Sequence, residues 1–247
     1  MVDSKFTGFI TVRTSSTRLP GKCLLPFGNE TVIGHVIKRA ISYGIDPIVC
    51  TSMDSSDDVL EEIANVLGVR CFRGSMKNKL KRWFDCAEKF NIDSFHTIDA
   101  DDPFFDGFEM IESLHLRQLG NYDVVCPTES SSNGGASVGY SLTRDVVKKS
   151  LSGLRDNDDT EMMWYYLEKV KNIRMKVLPE SSNDNFNIRL TLDYEEDYWL
   201  LASIARLLGN AASRTEIKQL FTNNPDMAKL NLFRNDEWKA AQISKKI

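Results

Sequence analysis

The sequence has no C-x-x-C pair. Its five cysteines, Cys23, Cys50, Cys71, Cys86 and Cys126, stand far apart. An odd, scattered set excludes a disulfide framework and a cysteine zinc site, and predicts reduced thiols in a cytoplasmic protein. No apolar run approaches the length that spans a bilayer, so no membrane role is expected. The first strand-like run starts almost at once, without the pattern of a signal peptide. Basic charge is not in excess either: 31 Lys and Arg against 35 Asp and Glu give a net charge of −4. That excludes a broad cationic field for a nucleic-acid polymer, so an anionic ligand must be held by a local cluster. Histidine is scarce, at three. His35 lies beside apolar Val36 on a helix pattern, His96 within a strand pattern and His115 on a helix, so none is placed as a general base. Neither G-x-x-x-x-G-K-[ST] nor G-x-G-x-x-G occurs, which excludes the common P-loop and the dinucleotide fingerprint. Internal repeats, low-complexity blocks and a clear linker are also missing, which predicts one domain over residues 1–247.

What is present is an alternation of short apolar runs and amphipathic stretches. Phe9–Val12, Asp46–Thr51, Val69–Phe72, Ser94–Ile98 and Val124–Cys126 read as buried strands. Between them, Val32, Ile33, Val36, Ile37, Ala40 and Ile41 make a helix face, as do Val59, Leu60, Ile63, Ala64 and Leu67, and again Leu80, Trp83, Phe84 and Ala87. This order predicts an α/β fold: a doubly wound, mostly parallel sheet with helices on both faces. After Pro127 the pattern changes. Strands are expected at Ala136–Leu142, Ile173–Leu178 and Phe186–Leu192. Helices are expected from Thr143 to Val147, and over Thr160–Val170, Tyr194–Leu208 and Glu216–Phe221. The tail, with Leu230, Leu232, Phe233 and Trp238, is too apolar for a free linker.

Two loops carry the chemistry. Arg13-Thr-Ser-Ser-Thr-Arg-Leu-Pro-Gly-Lys22 leaves the first strand with three cations, and hydroxyls that include Ser16. Guanidinium and ammonium groups make strong charge-assisted bonds to phosphate oxygens. A solvated surface loop is the competing reading. Asp99, Asp101 and Asp102 follow the strand Ser94–Ile98. Carboxylates this close repel unless a cation compensates, and hard oxygen donors suit Mg²⁺. In a parallel sheet both loops leave at the carboxyl end and can meet. Asp106 reads as a cap for the helix from Gly107. Asp193, ahead of Glu195, Glu196 and Asp197, fits a helix cap or a second metal ligand, and spacing alone favours the cap.

The run Ile10 to Lys22 resembles the signature loop of the CMP-sugar-acid synthetases, the cytidylyltransferases of the 3-deoxy-octulosonate and acylneuraminate type, nearest their spore-coat-polysaccharide branch. Phe72-Arg73-Gly74-Ser75 with Leu80 and Arg82, Ile98-Asp-Ala-Asp-Asp-Pro103, and Arg189-Leu-Thr-Leu-Asp193 with Asp197 resemble further elements of that branch, in the same order. Asn224-Pro225 and Asn231 suit its tail. The resemblance implies a Rossmann-like nucleotidyltransferase with an inserted acceptor and dimerisation element at about 128–180. It implies CTP, Mg²⁺, an acidic sugar as acceptor, and a homodimer. By position, Arg13, Ser16, Arg18 and Lys22 would hold the triphosphate, with Asp99 beside it. Arg73, Gly74, Ser75 and Arg82 would frame the nucleoside, and Asp101 and Asp193 would bind metal. This reverses the preference for Asp193 as a cap. Val12 replaces the usual small residue before Arg13, and Met76-Lys77-Asn78-Lys79 replaces an acidic stretch.

The implied reaction transfers CMP from CTP to an acceptor hydroxyl and releases pyrophosphate, with Lys22, Arg13 and Asp101 as catalytic groups. Asn133, Gly134, Gly135, Tyr140 and Ser141 are candidates for the acceptor pocket, because amide, hydroxyl and glycine groups suit a polyol; a mobile surface turn explains that loop equally well. A metal-dependent glycosyltransferase with Asp99-Ala100-Asp101 as its D-x-D is an alternative, opposed by the cationic loop. A catalytically silent nucleotide-binding subunit is another.

Overall fold

In a computed structural model, residues 6–180 and 188–244 are described; for 242–244 only the backbone is. The strands are β1 (Thr7–Thr11), β2 (Pro26–Phe27), β3 (Glu30–Thr31), β4 (Asp46–Ser52), β5 (Arg70–Gly74), β6 (Ser94–Asp99), β7 (Val124–Cys126), β8 (Ser141–Thr143) and β9 (Met175–Val177). The helices are α1 (Val32–Ser42), α2 (Asp58–Val66), α3 (Lys79–Phe90), α4 (Gly107–Gly120), α5 (Glu129–Ser132), α6 (Arg144–Ser150), α7 (Trp164–Leu167), α8 (Glu195–Leu208), α9 (Arg214–Asn223) and α10 (Arg234–Ser244).

Seven strands form one sheet in the order β5-β4-β1-β6-β8-β7-β9. β1 runs parallel to β4 and β6, and β4 to β5. Alternation along β1 decides which layer each side chain joins. Ile10 packs with Ile33, Val36 and Leu60 from α1 and α2, and with Met110 and Leu114 from α4. Phe9 faces the other way, onto Leu80 and Trp83 of α3 and Val146 of α6. Helices therefore cover both faces, as a doubly wound α/β fold requires. The Trp83 indole donates to Thr11 Oγ1 at 2.9 Å, which fixes α3 against the end of β1.

The second half departs from its sequence pattern. Of the expected strand Ala136–Leu142 only Ser141 and Leu142 pair; with Thr143 they form β8, antiparallel to both β6 and β7. Gly139 explains the late start. Its φ is +83°, and a Cβ there would stand 1.9 Å from the Thr97 carbonyl, so the chain turns where a strand would run straight. The helix expected over Thr160–Val170 shrinks to the single turn α7. Residues 188–192 are buried but join no ladder. Three of their N–H groups find loop carbonyls instead: Leu190 and Thr191 donate to the Gly134 carbonyl and Leu192 to that of Asp101. Phe186 and Asn187, the start of that expected strand, lie outside the described residues. The run is apolar because loops and α8 cover it, with Ile188, Leu190 and Leu192 packed on Leu200, Leu201 and Ile204. Among the described residues, no helix is long and apolar enough to cross a membrane.

Candidate active site

Thr11 pairs with Asp99 in register, so the loops after β1 and β6 leave the sheet side by side. The first loop closes on itself: Ser16 and Gly21 both donate backbone N–H groups to the Thr14 carbonyl, at 2.9 and 3.2 Å. Gly21, at φ 66°, takes the left-handed turn that starts the 3-10 helix Lys22–Leu24. The turn sends Lys22 inward, where it is 7% exposed. Its ammonium has three N–H groups and three acceptors: the Leu192 carbonyl at 2.7 Å, Asp193 Oδ1 at 2.8 Å and Asp101 Oδ2 at 2.7 Å. Burial alone would lower its pKa, but Asp101 and Asp193 outweigh burial and raise it, so Lys22 stays charged. Arg18 meets the same Asp193 Oδ1 at 2.6 Å and lies over the Tyr194 ring. Burial of Asp193 would raise its pKa; Lys22 and Arg18 pull it below the ordinary value.

Asp193 does not cap α8. Asp197 takes that role, its Oδ2 accepting from the Asp193 and Tyr194 backbone N–H groups at 2.9 and 3.0 Å. The carboxyl of Asp193 is left to Lys22 and Arg18 on one oxygen, with Arg189 3.8 Å from the other. The cap expected at Asp106 is present, accepting from Phe108 N–H at 2.9 Å.

Arg13 reaches across to other partners. It donates to the Met76 carbonyl at 2.8 Å and to Glu161 Oε2 at 3.1 Å. Glu161 also faces Lys79 at 3.7 Å, and Lys79 pairs with Asp99 at 3.0 Å. The stretch around Glu161 is sewn to the start of α3: Ser75 donates to the Asp156 carbonyl, Asn78 to that of Arg155, and Thr160 to Asn78 Oδ1.

These side chains border a cleft of about 610 Å³. Arg18, Asp99, Asp101 and Asp193 line it, as do Asn133 and Tyr140 of the expected acceptor residues. Lys22 sits behind, its ammonium on two lining carboxylates. Ser16 accepts from Leu19 N–H within the loop. Other expected residues stand elsewhere. Arg73 is committed to the Ser52 and Asp54 carbonyls and to Asp58 and Glu61. Gly74 packs against Phe72 and Arg82. Ser75 is taken up by Asp156. Arg82 is fully buried; one nitrogen donates to the Ser75 carbonyl at 2.6 Å, while Nε and Nη2 have no protein partner among the described residues. Burial, then Arg13, lowers its pKa. Gly135 borders a separate small cavity with Glu109 and Arg214, and its carbonyl accepts from Arg214. Ser141 is buried in β8 against His96 and Ser113.

Sequence reasoning missed Lys79, Glu161, Trp238 and Lys239, all of which line the cleft. Lys79 stands in the stretch singled out as a departure from the acidic pattern, which was its one signal. Among the described residues no three His, Cys, Asp or Glu side chains gather to hold a metal by themselves. Two carboxylates do converge, because Asp101 and Asp193 each lie within 2.8 Å of the Lys22 ammonium.

The chain is similar to several known proteins. The chain is 27% identical over 232 residues to the spore coat polysaccharide biosynthesis protein SpsF of Bacillus subtilis (strain 168), covering 89% of this chain and 95% of that one. The structure of a cytidylyltransferase from Leptospira borgpetersenii serovar Hardjo-bovis superposes with a TM-score of 0.78 at 27% identity, over 91% of this chain and 96% of that one. CMP:2-keto-3-deoxy-manno-octonic acid synthetase, solved with CTP, shares the fold at a TM-score of 0.64 and 16% identity, over 82% of this chain and 99% of that one. The family model for cytidylyltransferases matches residues 7–224, and the chain belongs to that family.

Proposed function

We propose that this enzyme transfers CMP from CTP to a hydroxyl of an acidic sugar of the 3-deoxy-octulosonate or nonulosonate kind and releases pyrophosphate. One observation carries the reading. Arg13, Arg18 and Lys22, three cations of one loop, reach the cleft-lining carboxylates Glu161, Asp193 and Asp101. A cationic loop facing acids at a strand end suits a triphosphate, and the acids suit the counter-ion that travels with it.

Mg²⁺ fits the donor chemistry. It binds through one or two carboxylates and completes its shell with water and phosphate, and Asp101 and Asp193 offer two hard-oxygen groups around one point that a cation already occupies. When bound there it supplies charge neutralisation of the phosphates and lowers the pKa of a bound hydroxyl. The chain's own residues do the rest. Arg13 and Arg18 exchange their carboxylate partners for phosphate oxygens, which orients the α-phosphorus. The acceptor oxygen attacks it in line, the bond from that phosphorus to the bridging oxygen breaks, and pyrophosphate leaves with the electron pair. Lys22, held charged, neutralises the developing negative charge. The acceptor proton passes to solvent. His35 and His96 are buried, bonded to the Pro103 and Val138 carbonyls.

The similarity to SpsF supports a place in surface polysaccharide synthesis. The free state of all five cysteines supports a reducing, cytoplasmic setting. A homodimer belongs to the same proposal, with the exposed edge strand β9 as a contact, and light scattering tests it. The central test is pyrophosphate release from CTP and Mg²⁺ with a panel of sugar acids. Release that requires an acid is expected. Release without any acceptor, or none with every acid, would sink the reading.

A further inference from the structure

The C-terminal helix α10 also lines the cleft, through Trp238 and Lys239. The start of this helix is fastened. Buried Arg189 makes two 2.8 Å bonds to Asp197 and a third, at 3.0 Å, to Asn235 Oδ1. Asn231, just before the helix, donates to the Arg189 carbonyl and to Asp197. Arg234 bonds Glu196 and lies over Tyr194, the ring that Arg18 also covers. Trp238 follows Asn235 by three positions and Lys239 by four, so all three share one helix face. The Arg189 guanidinium stands 5.7 Å from the Trp238 ring centre, which sets the orientation of the indole.

Charge then singles out Lys239. The cleft lining carries Asp99, Asp101, Asp102, Glu161, Glu168 and Asp193 against Arg18, Lys79 and Lys239. Arg18 is paired with Asp193, and Lys79 with Asp99 and Glu161. Among the described residues, Lys239 is the lining cation with no carboxylate partner. An incoming acid would be repelled by these carboxylates and needs a positive charge that they do not already hold. Trp238 beside Lys239, with Trp164 also in the lining, offers aromatic faces of the kind that take the apolar side of a sugar ring.

We infer that Trp238 and Lys239 form the acceptor subsite, with Trp238 seating the sugar ring and Lys239 holding its carboxylate. This rests on the cytidylyl-transfer reading and adds the residues that choose an acid over a neutral sugar.

The test is calorimetric titration of the full chain with 3-deoxy-octulosonate and with N-acetylneuraminate, each beside its carboxyl-reduced alcohol, in the presence of a non-hydrolysable CTP analogue. The wild type should bind at least one acid ten-fold or more tighter than its alcohol. Lys239→Ala should remove that preference, Lys239→Arg should keep most of it, and Trp238→Ala should weaken acid and alcohol alike. The affinity for the CTP analogue should not change in any variant. A wild type that does not prefer either acid, or a Lys239→Ala variant that keeps the preference, overturns the inference. Failure of the cytidylyl-transfer reading shows separately, as a carboxylate preference that persists without CTP-dependent pyrophosphate release.

Discussion

Lys22 and Asp193 meet at 2.8 Å although 171 positions separate them. Both are buried, at 7% and 2% exposure. A charge removed from water this far is tolerated only when paired, and deleting one partner of such a pair costs about 3–5 kcal/mol. Here the pair is also the junction between the loop 13–22 and the run 188–193. Lys22 therefore serves two ends, holding the loop closed and presenting positive charge beside Asp101.

Asp193→Asn keeps an acceptor for Lys22 but removes the negative charge. We expect turnover to fall by about a hundred-fold or more, in the range seen when one charge-stabilising contact is lost. Lys22→Met should lose as much. The double variant should lose less than the product of the two, because the residues share one contact. Steady-state kcat/KM for the four proteins checks this, with thermal melts to separate folding from catalysis.

Arg13 is held by Glu161 at 3.1 Å. That carboxylate competes with a triphosphate for the same guanidinium. Glu161→Gln should lower the KM for CTP several-fold, whereas Arg13→Ala should raise it. Initial rates at varied CTP, at two salt concentrations, decide the matter. An unchanged KM in Glu161→Gln would show that the Arg13 pair places no burden on binding.

The sheet was legible because its strands are short continuous apolar runs between helix stripes, and Phe9 and Ile10 already divide two layers. The cationic loop and the acidic loop were legible as local clusters, and strand order predicted that they meet. Trp238 and Glu161 were not. Their place in the cleft depends on tertiary anchors, Arg189 on Asp197 and Thr160 on Asn78, which leave no local pattern. Arg73 illustrates the converse. Its motif pointed to nucleoside, while four nearby acceptors in the structure hold its guanidinium. Ala136–Leu142 looked like a strand because it is apolar, and Gly139 breaks it by backbone geometry that apolarity does not report.

Two buried histidines set an acid limit on stability. His96 accepts from Ser141 at Nδ1 and donates at Nε2 to the Val138 carbonyl, which satisfies the neutral ring. Burial lowers its pKa, and that of His35, from 6.5 to about 4. The unfolded chain binds these protons first, so stability is fully present above pH 6.5 and declines as pH falls toward 4. Each histidine should cost on the order of 2 kcal/mol at pH 5. Urea midpoints between pH 7.5 and 5 should fall accordingly, and His96→Gln should flatten the slope.

The loop 13–22 hangs on Asp57, which is not among the residues that line the cleft. Its Oδ1 accepts from Thr14 N–H and from Thr14 Oγ1, each at 2.8 Å, and its Oδ2 accepts from Thr51 Oγ1, Ser52 N–H and Ser52 Oγ. It thus ties the first residues of the loop to the end of β4. Burial would raise its pKa, but these donors outweigh burial and lower it. With a depressed folded pKa, this anchor is fully present above the unfolded value of about 3.9 and fails only as pH drops through the lower folded one. Asp57 therefore adds nothing to the histidines' contribution to the decline between pH 6.5 and 4. Asp57→Asn replaces one accepting oxygen by a donating NH2, which leaves two or three donors facing another donor. We expect a loss of about 1–3 kcal/mol in stability and a rise in the KM for CTP that exceeds any rise for the acceptor, because the displaced residue, Thr14, adjoins Arg13. Equal changes in both KM values would show that Asp57 supports the fold without setting the loop.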